Sequence, residues 1–203
     1  MPAARAYRAH RHPKRSEDTR DRIMTAVREL LAEGAFHEST VEEVADRAGV
    51  SRATLYQHFG SRLELVDAIC DTFAANPALL KLREIVELED ADAALADTIA
   101  NSVRFWASED SILSQLYGVA AIDPAASDLV DRQRTDRRGE LARLARNLRK
   151  SKRLPPGTSE AAALALLLVL TSYETFRELR QAGLSERELT KTLQESAHAL
   201  LLA

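Results

Sequence analysis

Apolar residues in the first part of the chain recur at steps of three and four, the spacing of one face of an α-helix. Residues 16–33 carry such a face, and Gly34 is the expected C-terminal stop of this first helix. A second, shorter run repeats at helical spacing up to Gly49 and consists of Val41, Val44, Ala45 and Ala48. The pattern therefore predicts two helices before residue 50, the second ending in a glycine turn.

A third helix is predicted to begin after Ser51, which is a suitable N-cap. This helix turns Leu55 and Phe59 inward, so residues 52–54 and 56–58 face elsewhere and give it a polar, aromatic side. Two short helices joined by a tight glycine turn, with the small Ala45 where they approach, are typical of a helix-turn-helix reader of the major groove.

The rest of the chain is also predicted to be helical. Three segments begin with a capping box: Thr40 with Glu43, Ser61 with Glu64 and Ser185 with Glu188. Further helices are expected over 61–75, within 77–92, and over 91–108, 111–122, 124–151, 159–182 and 185–201. We expect about nine helices in all: an N-terminal three-helix DNA-binding domain followed by a C-terminal helical bundle.

Charge is distributed unevenly along the 203 residues. The net charge is -3, but residues 1–62 hold 11 Lys or Arg against 9 Asp or Glu, whereas the remainder holds 17 against 22. Residues 1–15 contain five basic residues, two prolines and no acid, which predicts a disordered basic arm. The predicted domains are this arm, a DNA-binding domain over 16–62, and an effector-binding and dimerisation domain over 63–203.

The composition indicates a cytoplasmic protein without a cofactor. Cys70 is the single cysteine, so no internal disulfide forms. The N-terminus lacks a secretory pattern, and the longest apolar run, 161–170, is about half of what a membrane span needs. The five histidines do not have metal-ligand spacing, and neither a catalytic constellation nor a phosphate loop is visible. We expect no enzyme activity, no metal and no cofactor.

The stretch AGVSRATLYQHFGSRLEL resembles the DNA-binding domain of the TetR family of transcriptional regulators. The resemblance extends over about residues 15 to 66 and includes Ser39-Thr40-Val41. It implies that Tyr56 and His58 contact the DNA backbone and that Arg62 replaces a phosphate-binding lysine. It also places four residues at base-facing positions: Arg52, Ala53, Thr54 and Gln57.

Alternative interpretations remain for several of these residues. Phe59 fits a core position, Tyr56 could belong to the same core, and His58 could be an ordinary surface histidine. The matching segment also contains Thr40, which we include among the DNA-binding candidates. Ten Lys or Arg lie between Arg132 and Arg153, and we interpret them as a solvated helix face rather than a second nucleic-acid site.

The last two helices are more apolar than a single small domain requires. Since helix-turn-helix readers work as symmetric pairs on palindromes, this apolar excess predicts a homodimer, as the family resemblance also implies. The residues predicted at the interface are Phe176, Leu179, Leu193 and Ala197.

The middle helices are predicted to enclose a small-molecule pocket, because ligand sites in helical bundles lie between helices. Its candidate residues combine aromatic walls with polar groups, although a core or surface role is open for each: Asn101, Arg104, Phe105, Trp106, Tyr117, Tyr173 and Glu174. The resemblance implies a repressor that binds a palindromic operator as a dimer and is released by a small-molecule effector, for which an apolar compound is one candidate. The alternatives are a constitutive, sequence-tolerant DNA-binding protein and an enzyme.

Overall fold

The structure, a computed structural model, describes residues 13–203 and is all-α, as the sequence predicted. The described range contains ten helices, where about nine were expected. In chain order these are α1 (Pro13–Ala32), α2 (Val41–Arg47), α3 (Arg52–His58), α4 (Arg62–Ala74), α5 (Pro77–Ile85), α6 (Ala91–Ala120), α7 (Pro124–Lys150), α8 (Glu160–Leu170), α9 (Tyr173–Gln181) and α10 (Glu186–Leu201).

The chain forms two compact units, the first ending at Ile69 and the second extending from Cys70 to Ala203. Helix α4 begins in the first unit and ends in the second. The division predicted from the sequence, 16–62 and 63–203, stays a prediction. Most of the predicted basic arm, residues 1–12, lies outside the described residues, but residues 13–15 form the first turn of α1 and are not part of an arm.

The core of the first unit is formed by the inward faces of its helices. Ile23, Val27 and Leu31 of α1 are fully buried, as are Val44 of α2 and Leu55 of α3. Helix α2 packs against both α1 and α3. Because α2 and α3 are too short to be stable alone, this shared core holds them in place.

Helix α6 is the centre of the second unit, where it packs against α5, α7, α9 and α10. Its side chains Leu95, Ile99 and Val103 face inward and are buried. Helix α7 contributes a fully buried stripe that consists of Leu141, Leu144 and Leu148. No helix in the described part of the chain is both long and apolar enough to cross a membrane.

Two helix boundaries differ from the sequence-based expectation. The polar residues 108–111 were predicted to separate two helices, but α6 passes through them without interruption. Glu109 is buried there and accepts a hydrogen bond from Asn76 Nδ2 at 3.1 Å. Because Asn76 satisfies this carboxylate, a polar residue that would favour a loop is accommodated inside the helix.

The second difference lies between α8 and α9, which were expected to form one helix over 159–182. Ser172 caps α9 by accepting a hydrogen bond from the amide of Thr175 at 3.0 Å. The carbonyl oxygen of Thr171 accepts hydrogen bonds from Trp106 Nε1 at 2.9 Å and from Arg137 Nη1 at 2.6 Å. This carbonyl is therefore satisfied by side chains of α6 and α7.

Most of the predicted caps are present. Thr40 and Ser185 form complete capping boxes with Glu43 and Glu188. At Ser61 the box is incomplete, because the carboxylate of Glu64 accepts from the amide of Gly60 at 2.9 Å instead of from that of Ser61. The start of α4 is still fixed by two side chain to backbone hydrogen bonds.

Candidate nucleic-acid interface and ligand cavity

The turn between α2 and α3 has the tight geometry that the sequence predicted. Gly49 has a positive φ of 63°, and the amide of Val50 donates to the carbonyl of Ala45 at 2.9 Å. Ala45 is buried. A side chain at position 49 would be strained, and a larger one at position 45 would separate the helices, so both small residues set the angle between them.

Helix α3 presents a mainly polar face because Leu55 and the following Phe59 are buried. The hydroxyl of Ser51 accepts from the amide of Thr54 at 3.1 Å, which starts the helix, and Leu55 and Phe59 point into the core. The remaining side chains are exposed or half-buried, with Tyr56 at 40% exposure: Arg52, Ala53, Thr54, Tyr56, Gln57 and His58. The six residues predicted to contact DNA from this helix are thus all accessible to some degree.

Arg52 is held by its neighbours in the free protein. Its guanidinium forms an ion pair with the carboxylate of Glu42 in α2 and lies 5.5 Å from the ring centroid of Tyr56. Hydrogen bonding with Tyr56 and the charge of Glu42 raise the pKa of Arg52. Arg52 is thus fully charged at neutral pH, but it must leave Glu42 to bind a base or a phosphate.

Arg62 lies at the start of α4 and reaches back to the segment before α2. Its guanidinium donates hydrogen bonds to the carbonyl oxygens of Phe36 and Ser39 and stacks 4.1 Å from the ring centroid of Phe36. Partial burial lowers the pKa of Arg62. The arginine that was predicted to bind phosphate therefore also joins two segments of the first unit.

Thr40 is exposed and is the N-cap of α2. Its hydroxyl accepts a hydrogen bond from the amide of Glu43 at 3.2 Å. The hydrogen bond from Arg62 to Ser39 brings Arg62 beside the start of α2. Thr40 and Arg62 are thus placed together, whereas the other six candidates share α3.

The second unit contains a cavity of about 100 Å³. Three of the predicted ligand residues line it, namely Phe105, Trp106 and Tyr117. The ring of Tyr173 packs against those of Trp106 and Tyr117, with centroid distances of 5.6 and 4.8 Å. The rings of the consecutive residues Phe105 and Trp106 lie 4.7 Å apart. Three aromatic residues of α6 and Tyr173 of α9 thus form one cluster beside the cavity.

The other three ligand candidates are placed differently. Glu174 forms an ion pair with Arg134 at 2.7 Å, and Arg134 lines the cavity. Asn101 and Arg104 are not among the lining residues. The side-chain amide of Asn101 donates a hydrogen bond to the carbonyl oxygen of Ala78 at 2.7 Å, and Arg104 is exposed.

Sequence reasoning identified three of the sixteen lining residues and missed the other thirteen, among them Arg134 and Arg137 of α7. Both lie in the arginine-rich segment that was interpreted as a solvated face. Arg143, Arg146 and Arg149 of the same segment are indeed exposed. No local signal distinguishes the two groups, because the difference arises from long-range contacts: Arg134 pairs with Glu174 of α9, and Arg137 contacts Trp106 of α6 and Thr171.

Three of the predicted dimer residues are buried within the chain: Phe176, Leu193 and Ala197 are 2%, 4% and 0% exposed, whereas Leu179 is half-buried. Phe176 stacks on Tyr173, with a centroid distance of 6.2 Å. This placement argues against these three side chains as interface contacts, because they already serve the core of the second unit.

Helix α8 exposes more apolar surface than the residues predicted at the interface. Of its eleven residues, only Ala163 and Leu167 are buried, and Val169 is 60% exposed. It packs against α7 and α10 within the unit. Apolar helices normally lie in a protein interior. The exposed side of α8, which includes Val169, therefore lacks a partner within the described chain.

Comparison with known proteins gives a family match for the first unit. Residues 23–69 match the family model of bacterial regulatory proteins of the tetR family. The transcriptional activator FasR of Mycolicibacterium smegmatis is 37% identical over 75 residues, which cover 37% of this chain and 33% of FasR. The chain thus spans about a third of the length of this relative.

Longer matches are more distant. The transcriptional regulator UidR of Escherichia coli K12 is 23% identical over 156 residues, covering 77% of this chain and 79% of UidR. Among solved structures, Salmonella enterica GusR has a TM-score of 0.71 and 22% identity, covering 90% of this chain and 95% of GusR. FadR of Bacillus subtilis, in complex with stearoyl-CoA, has a TM-score of 0.72 and 17% identity, covering 86% and 95%. These structures share the fold of this chain.

Proposed function

We propose that this chain, whose residues 23–69 match the family model of tetR-family regulatory proteins, is a DNA-binding transcriptional regulator of that family and acts as a repressor that binds a palindromic operator as a homodimer. A small-molecule effector that enters the cavity of the second unit releases it from DNA. The observation that carries this proposal is the orientation of α3, whose outward side chains are polar or aromatic apart from the small Ala53, while Leu55 is buried.

In this proposal, α3 lies in the major groove. Arg52 and Gln57 read base edges, Ala53 and Thr54 contact thymine methyl groups, and Tyr56 and His58 bind the DNA backbone. Thr40 and Arg62 contact phosphate beside the start of α2.

The dimer contact is assigned to the exposed apolar side of α8, with α10 beside it. Contact with a second copy would cover this side and present two α3 helices to successive major grooves, one helical turn or a multiple of it apart. Leu179 is half-buried and remains a candidate for the dimer contact. Phe176, Leu193 and Ala197 are buried, and in this proposal they pack in the core of the second unit behind the interface helices.

The effector is assigned to the cavity beside the aromatic cluster of Phe105, Trp106, Tyr117 and Tyr173. A ligand shifts an equilibrium only through unequal affinity for its states, so the effector would bind more tightly to the dimer geometry that does not fit the operator. The ligand-bound FadR structure is a precedent for a small-molecule complex in a protein of this fold.

Binding-site selection with the purified full-length protein tests the proposal. We expect a palindromic sequence, bound at least about a thousandfold more tightly than random DNA. Arg52→Gln should reduce the affinity for the selected site, while Arg138→Gln, an exposed arginine of α7, should not. Equal binding of random and selected DNA would instead identify a constitutive, sequence-tolerant binder.

A promoter reporter that carries the selected site tests the direction of regulation. Repression predicts lower reporter output when the protein is present. Because FasR is named an activator, a rise in output would assign activation to this chain while leaving its DNA-binding role intact.

A further inference from the structure

We propose that the effector of this cavity is a molecule with an apolar body and a single carboxylate, and that Arg137 binds this carboxylate. This inference rests on the proposed function, in which the cavity admits an effector. It goes further by naming the chemical class of the ligand and the side chain that selects it.

Arg137 is a half-buried cation whose hydrogen bonds go to neutral groups. Its Nη1 donates to the carbonyl oxygen of Thr171 at 2.6 Å and to the hydroxyl of Thr171 at 2.7 Å. Its guanidinium lies 5.7 Å from the ring centroid of Trp106. Among the described residues, no carboxylate forms an ion pair with it. Burial therefore lowers the pKa of Arg137, because an unpaired charge loses hydration there.

The other arginines at the cavity are paired. Arg134 contacts Asp131 at 3.1 Å and Glu174 at 2.7 Å. Arg83 lies 3.6 Å from Glu140. Each of these two has a carboxylate within the chain, so Arg137 is the lining arginine that would gain most from an external anion.

The charges around the cavity favour a monoanion. Of the three arginines that line it, Arg83 and Arg134 are paired with carboxylates, whereas Arg137 has no carboxylate partner among the described residues. Of the two lining carboxylates, Glu140 is engaged by Arg83 and Arg143, and Asp136 is exposed. A single carboxylate would pair with Arg137 and match the planar fork of its guanidinium.

The rest of the wall suits an apolar body. Besides the aromatic cluster, the lining includes aliphatic and aromatic side chains that offer no hydrogen bond: Phe73, Leu79, Leu82, Leu113, Leu116 and Val130. An apolar group placed there would leave water, which is the main source of affinity in such cavities. The carboxylate would then fix its orientation at the end where Arg137 lies.

The test uses Trp106, which is the single tryptophan of the chain and lines the cavity. The full-length protein is titrated with octanoate and 3-phenylpropanoate, and in parallel with octanamide and 3-phenylpropanamide, while Trp106 fluorescence is followed. Each amide keeps the shape of its acid but lacks the charge. We expect at least one acid to bind about tenfold or more tightly than its amide, as a charge-assisted hydrogen bond would provide.

Variants identify the residue responsible. Arg137→Gln should remove the preference for the acid and leave the affinity for the amide nearly unchanged, whereas Arg137→Lys should restore part of the preference. Arg146→Gln is the matched control, because Arg146 lies 3.9 Å from Glu160 and does not line the cavity. Circular dichroism confirms that each variant is folded.

Three results would overturn the inference: amides that bind as well as acids, an acid preference that survives in Arg137→Gln, or no fluorescence change with any of the four compounds up to saturation of their solubility. The proposed function is measured separately, by operator binding without ligand. A protein that binds its operator but shows no acid preference refutes only the ligand class. One that prefers acids but binds no operator refutes the regulator proposal and leaves the carboxylate site in place.

Discussion

Glu42 of α2 and Arg52 of α3 form an ion pair across the glycine turn that joins the two helices. Both side chains are more than half exposed, so DNA phosphates can compete for the arginine. We predict that Glu42→Gln strengthens operator binding by up to about fivefold, the equivalent of one exposed ion pair. Fluorescence anisotropy with a labelled operator measures the change.

Glu29→Gln is the control for this prediction, since it removes one exposed acid of α1. If Glu42→Gln binds no more tightly than Glu29→Gln, the gain is a general charge effect and Arg52 is not restrained by its partner.

Arg62 is predicted to stabilise the first unit independently of DNA. Arg62→Ala removes two hydrogen bonds to backbone carbonyls and the stacking on Phe36. We expect the free energy of unfolding to fall by about 2 kcal/mol. Arg62→Lys should recover less than half of this loss, because lysine keeps the charge but not the planar fork.

Urea denaturation of both variants, followed by circular dichroism, checks this expectation. An unchanged midpoint in Arg62→Ala would mean that Arg62 has no structural role, and any loss of operator affinity would then be assigned to phosphate binding alone.

Gly49 is required by its backbone conformation. Its φ of 63° is unfavourable for other residues, although a Cβ there would meet only ordinary contact, with Arg22 Nη1 at 3.5 Å. Gly49→Ala should therefore cost about 1–2 kcal/mol of stability. Gly139→Ala, in the interior of α7 with no heavy atom within 4 Å of the new Cβ, should instead gain about 0.5–1 kcal/mol.

Thermal unfolding measures both glycine variants. The backbone explanation fails if the two substitutions shift the melting temperature in the same direction.

Val169 is predicted to lie in the dimer contact of α8. Val169→Asp should place a charge in an apolar interface and shift the protein from dimer to monomer at micromolar concentration. Ile122→Asp is a strict control, because Ile122 is 86% exposed, more than Val169, but follows α6 and not α8. Analytical ultracentrifugation compares the two; a monomeric parent protein, or equal dissociation by both variants, would contradict the assignment.

The stability of the second unit is predicted to fall at alkaline pH. The hydroxyl of Tyr173 donates to Asp110 Oδ1 at 2.7 Å, and burial followed by this hydrogen bond strongly raises the pKa of Tyr173. Since the folded state favours the neutral phenol, the contribution is complete below the unfolded pKa of about 10 and is lost as the pH rises above it.

Tyr173→Phe should reduce this alkaline dependence, and Tyr56→Phe, at an exposed tyrosine, should keep that of the parent. The free energy of unfolding of both variants and of the parent protein is measured between pH 8 and the alkaline limit of the assay. An identical slope in Tyr173→Phe and the parent would show that this phenol does not control it.

The helix-turn-helix segment was predictable because its signals are local. Ser51, Gly49 and the spacing of Leu55 and Phe59 determine α3 and its exposed face within ten residues of chain. The continuity of α6 through Glu109 was not predictable in the same way, since it depends on Asn76, a residue 33 positions away.

The cavity and the dimer residues show the same limit. Trp106 and Tyr117 could be proposed as cavity residues because aromatic side chains of the middle helices suit the wall of a ligand pocket, whereas Arg137 resembles its solvated neighbours until α7 packs. Phe176, Leu193 and Ala197 were predicted at the dimer interface from their helical spacing, but apolar periodicity alone cannot distinguish a face turned to the same chain from one turned to a second copy.

The carbonyl of Thr171 gives the break between α8 and α9 a further consequence. Trp106 and Arg137 both donate to it, so the last turn of α8 is anchored by the same two side chains that line the cavity. A ligand that binds the guanidinium of Arg137 would leave Trp106 as the remaining donor to this carbonyl. The end of the helix that carries Val169 would then be freer to shift, and in the proposed dimer this peptide group would link ligand binding to the contact between the two copies.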